Sequence, residues 1–170
     1  MKMTKIEVKN ISHYARGSEG TPCYNATVYI DGKRAVDVSN DGRGGMDRQS
    51  VWHEKGFDLD EINAWCVKQF GQKTWEHNGK SYTTDFDLEN YCHEQLFDHL
   101  DIKLLKKTMK KSVMFFKDKS HIEEGKYSEV KFQNDYGGAV AYVKDNFPSC
   151  IILNDMPMEK ALQIYRGKDV

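Results

Sequence analysis

Between Pro22 and Gly45 the chain reads PCYNATVYIDGKRAVDVSNDGRGG, and this stretch constrains the fold more than any other. Tyr24, Ala26, Val28 and Ile30 alternate with Asn25, Thr27 and Tyr29, which is the two-residue period of a strand with one face buried. Asp31-Gly32 interrupts the run and Ala35-Val36-Asp37-Val38 resumes it. A two-residue primed turn needs positive φ at its centre, which glycine adopts without steric strain. Asp-Gly between two such runs therefore predicts a β-hairpin whose register is pinned. The rest of the chain has to pack around that hairpin.

The loop that follows, Asn40-Asp41-Gly42-Arg43-Gly44-Gly45, is the only glycine-rich loop in the sequence. Its glycines could turn successive backbone N–H groups toward one point and Arg43 could add a charge-assisted contact, which makes residues 40–45 a candidate anion-binding loop. A turn leaving a strand uses the same residue types for conformational reasons. The Lys-Ser/Thr of a P-loop and the spacing of a dinucleotide fingerprint are both missing.

With 170 residues, 39% of them hydrophobic, the chain has enough material for a single domain with a real core, divisible if at all into halves 1–84 and 85–170. The 25 Lys and Arg against 26 Asp and Glu leave a net charge of −1, which excludes a uniformly basic nucleic-acid coat and a uniformly acidic DNA mimic. The opening MKMTKIEVKN has no signal-like apolar core, and no run of about 18 apolar residues occurs, so a cytoplasmic protein without a membrane partner is expected. Cysteines at 23, 66, 92 and 150 stand far apart, as reduced and mostly buried thiols do.

Alternation of Ile6 and Val8 with Lys5, Glu7 and Lys9 gives a first strand beside the hairpin. Asp58 as cap, Glu61 at the capping-box position and a Phe57/Ile62 staple open a helix that runs to about Phe70, with Leu59, Ile62, Trp65, Cys66 and Phe70 as its core stripe and Gly71 as its stop. Residues 72–84 are polar and less periodic. Phe86-Asp87 starts a second helical region with Leu88, Tyr91, Cys92, Leu96 and Leu100 inward, either one helix or two with a bend at Asp101. Val113–Phe116 and Tyr127–Phe132 read as a second hairpin across a turn at Glu124-Gly125. Tyr136 to Phe147 reads as a helix capped by Asn134-Asp135 and ended by Pro148. Cys150–Leu153 is a strand buried on both faces, and a last helix opens near Pro157 and closes near Gly167. The expected class is α+β: an antiparallel sheet built from two β-hairpins plus N-terminal and C-terminal strands, packed by about four helices.

Charge reverses abruptly within the second helical region. Residues 85–101 hold six acids and no Lys or Arg, whereas 102–117 hold six Lys and no acid. The helix macrodipole accounts for such a reversal. Lys103, Lys106, Lys107, Lys110 and Lys111 nonetheless form a candidate partner- or nucleic-acid-binding face, on which 103, 107 and 110/111 share one side.

The opening KIEVKNI, then TPCYNATVYIDGK, the VSNDGRGG loop, a central helical pair and a closing CIILND together resemble small uncharacterised proteins of bacteriophages and prophages along nearly the full chain. The resemblance implies a phage or mobile-element accessory protein, a class in which inhibitors of host defence such as anti-CRISPR proteins are frequent. It implies a host protein or complex as partner and the host cytoplasm as location. No site residue carries over with it.

Catalytic signals are sparse. Cys92 and His99, seven apart, share a helical face while His93 points elsewhere, and no CxxC or HxxxH pair accompanies them, so no metal and no cofactor are expected. No Gly-x-Ser-x-Gly elbow fixes a nucleophile, and paired carboxylates sit only in helix caps, so no catalytic residue is assigned. Three readings follow in order: a binding protein that engages and inhibits a host protein, a nucleic-acid binder using the lysine face, and a small nucleotide- or phosphate-binding enzyme using the glycine loop. Aromatic interleaving of the single-strand-binding kind is absent from the lysine stretch.

Overall fold

In a computed structural model of the chain, which describes residues 3–168, the first hairpin forms with one register shift near its turn, Val28 facing Val36 and Tyr29 facing Arg34. Strands β1 (Ile6–His13), β2 (Cys23–Ile30), β3 (Lys33–Asp41) and β4 (Arg48–Val51) make a four-stranded antiparallel sheet in that order. Tyr24, Ala26, Val28 and Ile30 of β2, with Ala35, Val36 and Val38 of β3, are each at most 5% exposed. Both turn residues carry positive φ, +47° at Asp31 and +79° at Gly32, as a primed turn demands. The Asp31 carboxylate also accepts the Lys5 amide at 2.9 Å, fastening the entry to β1.

Helix α1 (Leu59–Phe70) begins where its cap predicts, the Asp58 side chain accepting from the amides of Asp60 and Glu61. Its buried face is narrower than the sequence stripe. Ile62 and Cys66 are fully enclosed, and burial holds the Cys66 thiol up at about 12. Trp65 stays half-buried, its indole N–H donating to the Met3 carbonyl at 2.9 Å, and Phe70 is 45% exposed.

The polar stretch after α1 is a hairpin of β5 (Gln72–His77) and β6 (Lys80–Asp85), turned at Asn78 and Gly79 with φ of +50° and +71°. Every residue of both strands is exposed, so no apolar alternation was there to read. Trp75 and Tyr82 stand opposite each other in register and stack with ring centres 5.9 Å apart.

Helix α2 (Leu88–Met109) is one continuous helix through Asp101, its first turn capped by Asp87, which accepts the Asn90 amide at 2.9 Å. Leu88, Cys92 and Leu96 are fully buried. Internal contacts divide the chain into two compact units, one through Phe97 and one from Asp98, so the boundary falls inside α2 and not at 84/85.

The second unit is organised around β7 (Ser112–Phe116), all of whose residues are buried. Strand β7 pairs antiparallel with β8 (Ser128–Lys131) on one edge and β9 (Ile151–Ile152) on the other. Met114 and Phe116 join one apolar cluster with Leu105, Ile122, Leu153 and Ile164, while Val113 and Phe115 join another with Val143 and Ile152. A short α3 (Lys119–Glu123) lies between β7 and β8. It is followed by α4 (Tyr136–Asn146), capped by Asp135, and α5 (Met158–Tyr165). The α+β class therefore holds, with five α-helices among the described residues. The strands lie in three antiparallel sheets where one was expected, because β7 has both edges paired within its own unit and cannot extend the first sheet. No helix among the described residues is long and apolar enough to cross a membrane.

Candidate functional site

The glycine loop uses its polar groups on itself and on the 19–21 segment. The amide of Gly42 donates to Asn40 Oδ1 at 2.9 Å, that of Arg43 to Asp41 Oδ1 at 3.2 Å, and that of Gly44 to Thr21 Oγ1 at 3.3 Å. The Gly42 carbonyl accepts from the amides of Glu19, Gly20 and Thr21. A Cβ on Gly42 would meet the Gly17 carbonyl oxygen at 1.9 Å, so only glycine lets the two segments close. Amides spent in this way cannot converge on an anion, and Arg43 stands exposed outside them. Residues 40–45 are a clasp.

What the clasp holds is a carboxylate. Asn40, itself 6% exposed, donates from Nδ2 to Asp47 Oδ1 at 3.0 Å and to the Gly45 carbonyl at 3.3 Å. The Tyr24 hydroxyl donates to Asp47 Oδ2, and His93 Nε2 lies 3.3 Å from Asp47 Oδ1. Glu89, one turn before His93 on α2, accepts the Asp47 amide on Oε1 at 3.1 Å. The Asp47 side chain has no solvent exposure, whereas that of His93 keeps 26%. Beside Glu89, Asn90 and His93, an open depression of about 560 Å³ is walled by Lys73, Trp75 and Thr84 of the β5–β6 hairpin.

Environment drives these groups apart in acidity. Burial alone would raise Asp47, but the bonds from His93, Tyr24 and Asn40 outweigh it and leave its carboxyl below the usual range. The bond to Asp47 raises His93, and burial raises Glu89. Burial, then the bond to Asp47, pushes the Tyr24 phenol far up, so it stays a donor. A carboxyl made more acidic, an imidazole made more basic and a less acidic second carboxyl thus share one corner of the first unit.

Helical spacing to Cys92 and His99 does not single out His93, which does not share a face with them. Cys92 is sealed in the core with a thiol raised by burial, and His99 is exposed. The readable signal was Glu89 and His93 at i and i+4. Asp47, 42 residues from Glu89, joins them only through the fold.

The lysine face is real as a surface. Lys103, Lys106, Lys107, Lys110 and Lys111 are all exposed and, with His99 and Ile102, border an open depression of about 540 Å³. Asn154 fixes the end of this helix, donating to the carbonyls of Met109 and Ser112 while accepting the Met114 amide at 2.7 Å. Five of the six acids upstream are engaged: Asp85 with Gln72, Asp87 as a cap, Glu89 with Asp47, and Asp98 and Asp101 with Arg166. None of the five lysines has an ion-pair partner among the described residues. Comparison of the chain with known protein families, with curated proteins and with solved structures finds no match.

Proposed function

We propose that this chain is a binding protein that docks an acidic surface of a protein partner onto the Lys103–Lys111 face. The observation that carries the reading is the contrast within α2 and the turn after it. Five of the six acids from Asp85 to Asp101 are engaged within the fold, while Lys103, Lys106, Lys107, Lys110 and Lys111, around one depression, have no ion-pair partner among the described residues. The macrodipole favours lysine in the last turn, where Lys106 and Lys107 lie, but it fades beyond that turn and asks nothing of Lys103. Like charges held side by side repel, and a complementary acidic surface relieves that repulsion while steering the encounter. Ile102 and the lysine stems give the depression an apolar floor, which suits a protein surface better than a phosphate backbone. The sequence resemblance to phage accessory proteins supports a host protein, including one of a defence complex, as the partner.

The test compares the wild type with the Lys107→Glu/Lys111→Glu variant in capture from host lysate, with and without nuclease, followed by binding kinetics on the captured component. The reading requires a protein that survives nuclease, is lost with the variant, and associates more slowly as salt rises, since steering is screened over about 10 Å at 0.1 M. Capture that disappears with nuclease, and a salt slope that falls by about one for each lysine reversed, identifies nucleic acid instead. Capture indifferent to the reversal leaves the lysines as a solvated helix end and defeats the proposal.

A further inference from the structure

We infer that Asp47, Glu89 and His93 form a binding site for one divalent transition-metal cation, with Tyr24 and Asn40 orienting its buried carboxylate. The ligand atoms come from a β3–β4 connection and one face of α2, and all three lie within 4.8 Å of one another. One imidazole nitrogen with two carboxylate oxygens suits zinc, cobalt or manganese better than magnesium or calcium.

The spacing supports this. A tetrahedral zinc with bonds of about 2.0 to 2.1 Å separates its ligand atoms by about 3.3 to 3.4 Å. Asp47 Oδ1 and His93 Nε2 already stand 3.3 Å apart, so a cation replaces the proton between them with little movement of either side chain. Glu89 has only to swing its carboxylate inward, and one of its oxygens is already held by the Asp47 amide. Three protein ligands leave a coordination position open, and the depression beside Glu89 and His93 provides the route to it.

The alternative is a plain Asp47–His93 ion pair. The Asp47–His93 attraction gains nothing from a second carboxylate, and Glu89, held by the Asp47 amide, adds like-charge repulsion beside Asp47. Donors hold Asp47 on both oxygens, Tyr24 on Oδ2 and Asn40 on Oδ1, as a buried carboxylate requires. Metal sites have this second layer, which fixes the ligand's direction.

The full chain, stripped of metal with a chelator and dialysed, is titrated with Co(II), followed by its visible absorption, and with Zn(II), followed by calorimetry. One equivalent is expected to bind, with the imidazole resonances of His93 shifting on addition. His93→Gln and Glu89→Gln are each expected to abolish that equivalent. Tyr24→Phe should keep the stoichiometry and weaken binding about 10- to 100-fold. His121→Gln, which removes the partly exposed His121–Asp118 pair of the second unit, should change nothing. Failure of the metal-free wild type to take up one equivalent overturns the site, as does binding that persists unchanged in Glu89→Gln. Among the described residues Glu89 bonds only the Asp47 amide, so Glu89→Gln gives a reading even if His93→Gln folds poorly.

Discussion

Asn40 and Asp47 are seven residues apart in sequence, and Asn40 Nδ2 donates to Asp47 Oδ1 across 3.0 Å of the interior. That bond makes the glycine loop and the carboxylate corner a single construction. The same Asn40 side chain accepts the Gly42 amide and the Thr21 hydroxyl, so the turn that ends β3 also aims Asp47.

Substitution within the loop should separate conformational strain from collision. Gly42 and Gly44 both have positive φ, +84° and +93°, but a Cβ at Gly44 meets nothing within 4 Å. Gly44→Ala is expected to cost about 1 to 2 kcal/mol, the left-handed penalty alone. Gly42→Ala drives a methyl into the Gly17 carbonyl and should cost about 3 to 5 kcal/mol, with urea melts of both variants as the measure.

Aromatic truncations should rank by burial. Phe116 is fully enclosed among Leu105, Met114 and Ile122, and its replacement by Ala is expected to cost about 3 to 5 kcal/mol. Trp65 lies half-exposed on α1, so Trp65→Ala should cost about 1 to 3 kcal/mol, part of it the lost indole bond to Met3. Equal losses in chemical melts would contradict the rim position.

How much of this was legible follows from where each signal resides. The Asp31-Gly32 turn, the Asp58 and Asp135 caps and the alternation of β2 are local in sequence, and each forms as read. The β5–β6 hairpin has both faces in water and so leaves no hydrophobic period; only its Asn78-Gly79 turn betrayed it. Trp65 and Phe70 sit at helical spacing with Ile62 and Cys66, but periodicity cannot say how wide a neighbour lies over the face. The lysine face was visible as composition. Its acidic counterpart was already committed to internal partners, and only the fold revealed that.

Alkaline titration should find Tyr136 late among the nine tyrosines. Burial, then its hydroxyl bond to Asp155 Oδ1 at 2.5 Å, raises this phenol to about 12 from 10.0. A proton held more tightly in the folded state stabilises that state fully below the unfolded value, and the benefit disappears as pH rises through the folded one. Stability should therefore fall between about pH 10 and pH 12 in the wild type, and fall less in Tyr136→Phe, as followed by denaturant melts across that range.

Arg166 is expected to resist conservative replacement. Its guanidinium places Nε 2.8 Å and Nη2 2.6 Å from Asp101 Oδ2 while Nη1 reaches Asp98. An ammonium cannot serve three such directions at once, so Arg166→Lys should lose most of what Arg166→Ala loses, about 1 to 3 kcal/mol for this partly buried pair. Full rescue by lysine in melts would show that charge alone matters there.

The β5–β6 hairpin leaves the fold and returns to it at one point, for the Phe86 amide donates to the Gly71 carbonyl at 3.0 Å across its base. All twelve strand residues beyond that bond face water, and the core takes no side chain from them. Such an excursion can be lengthened, shortened or rewritten by drift, and its Asn78-Gly79 tip can accept an inserted peptide, while α1 and α2 keep their ends. Lys73, Trp75 and Thr84 nevertheless form the wall beside Glu89 and His93. Access to the corner that holds Asp47, Glu89 and His93 is thus set by the part of the chain freest to change.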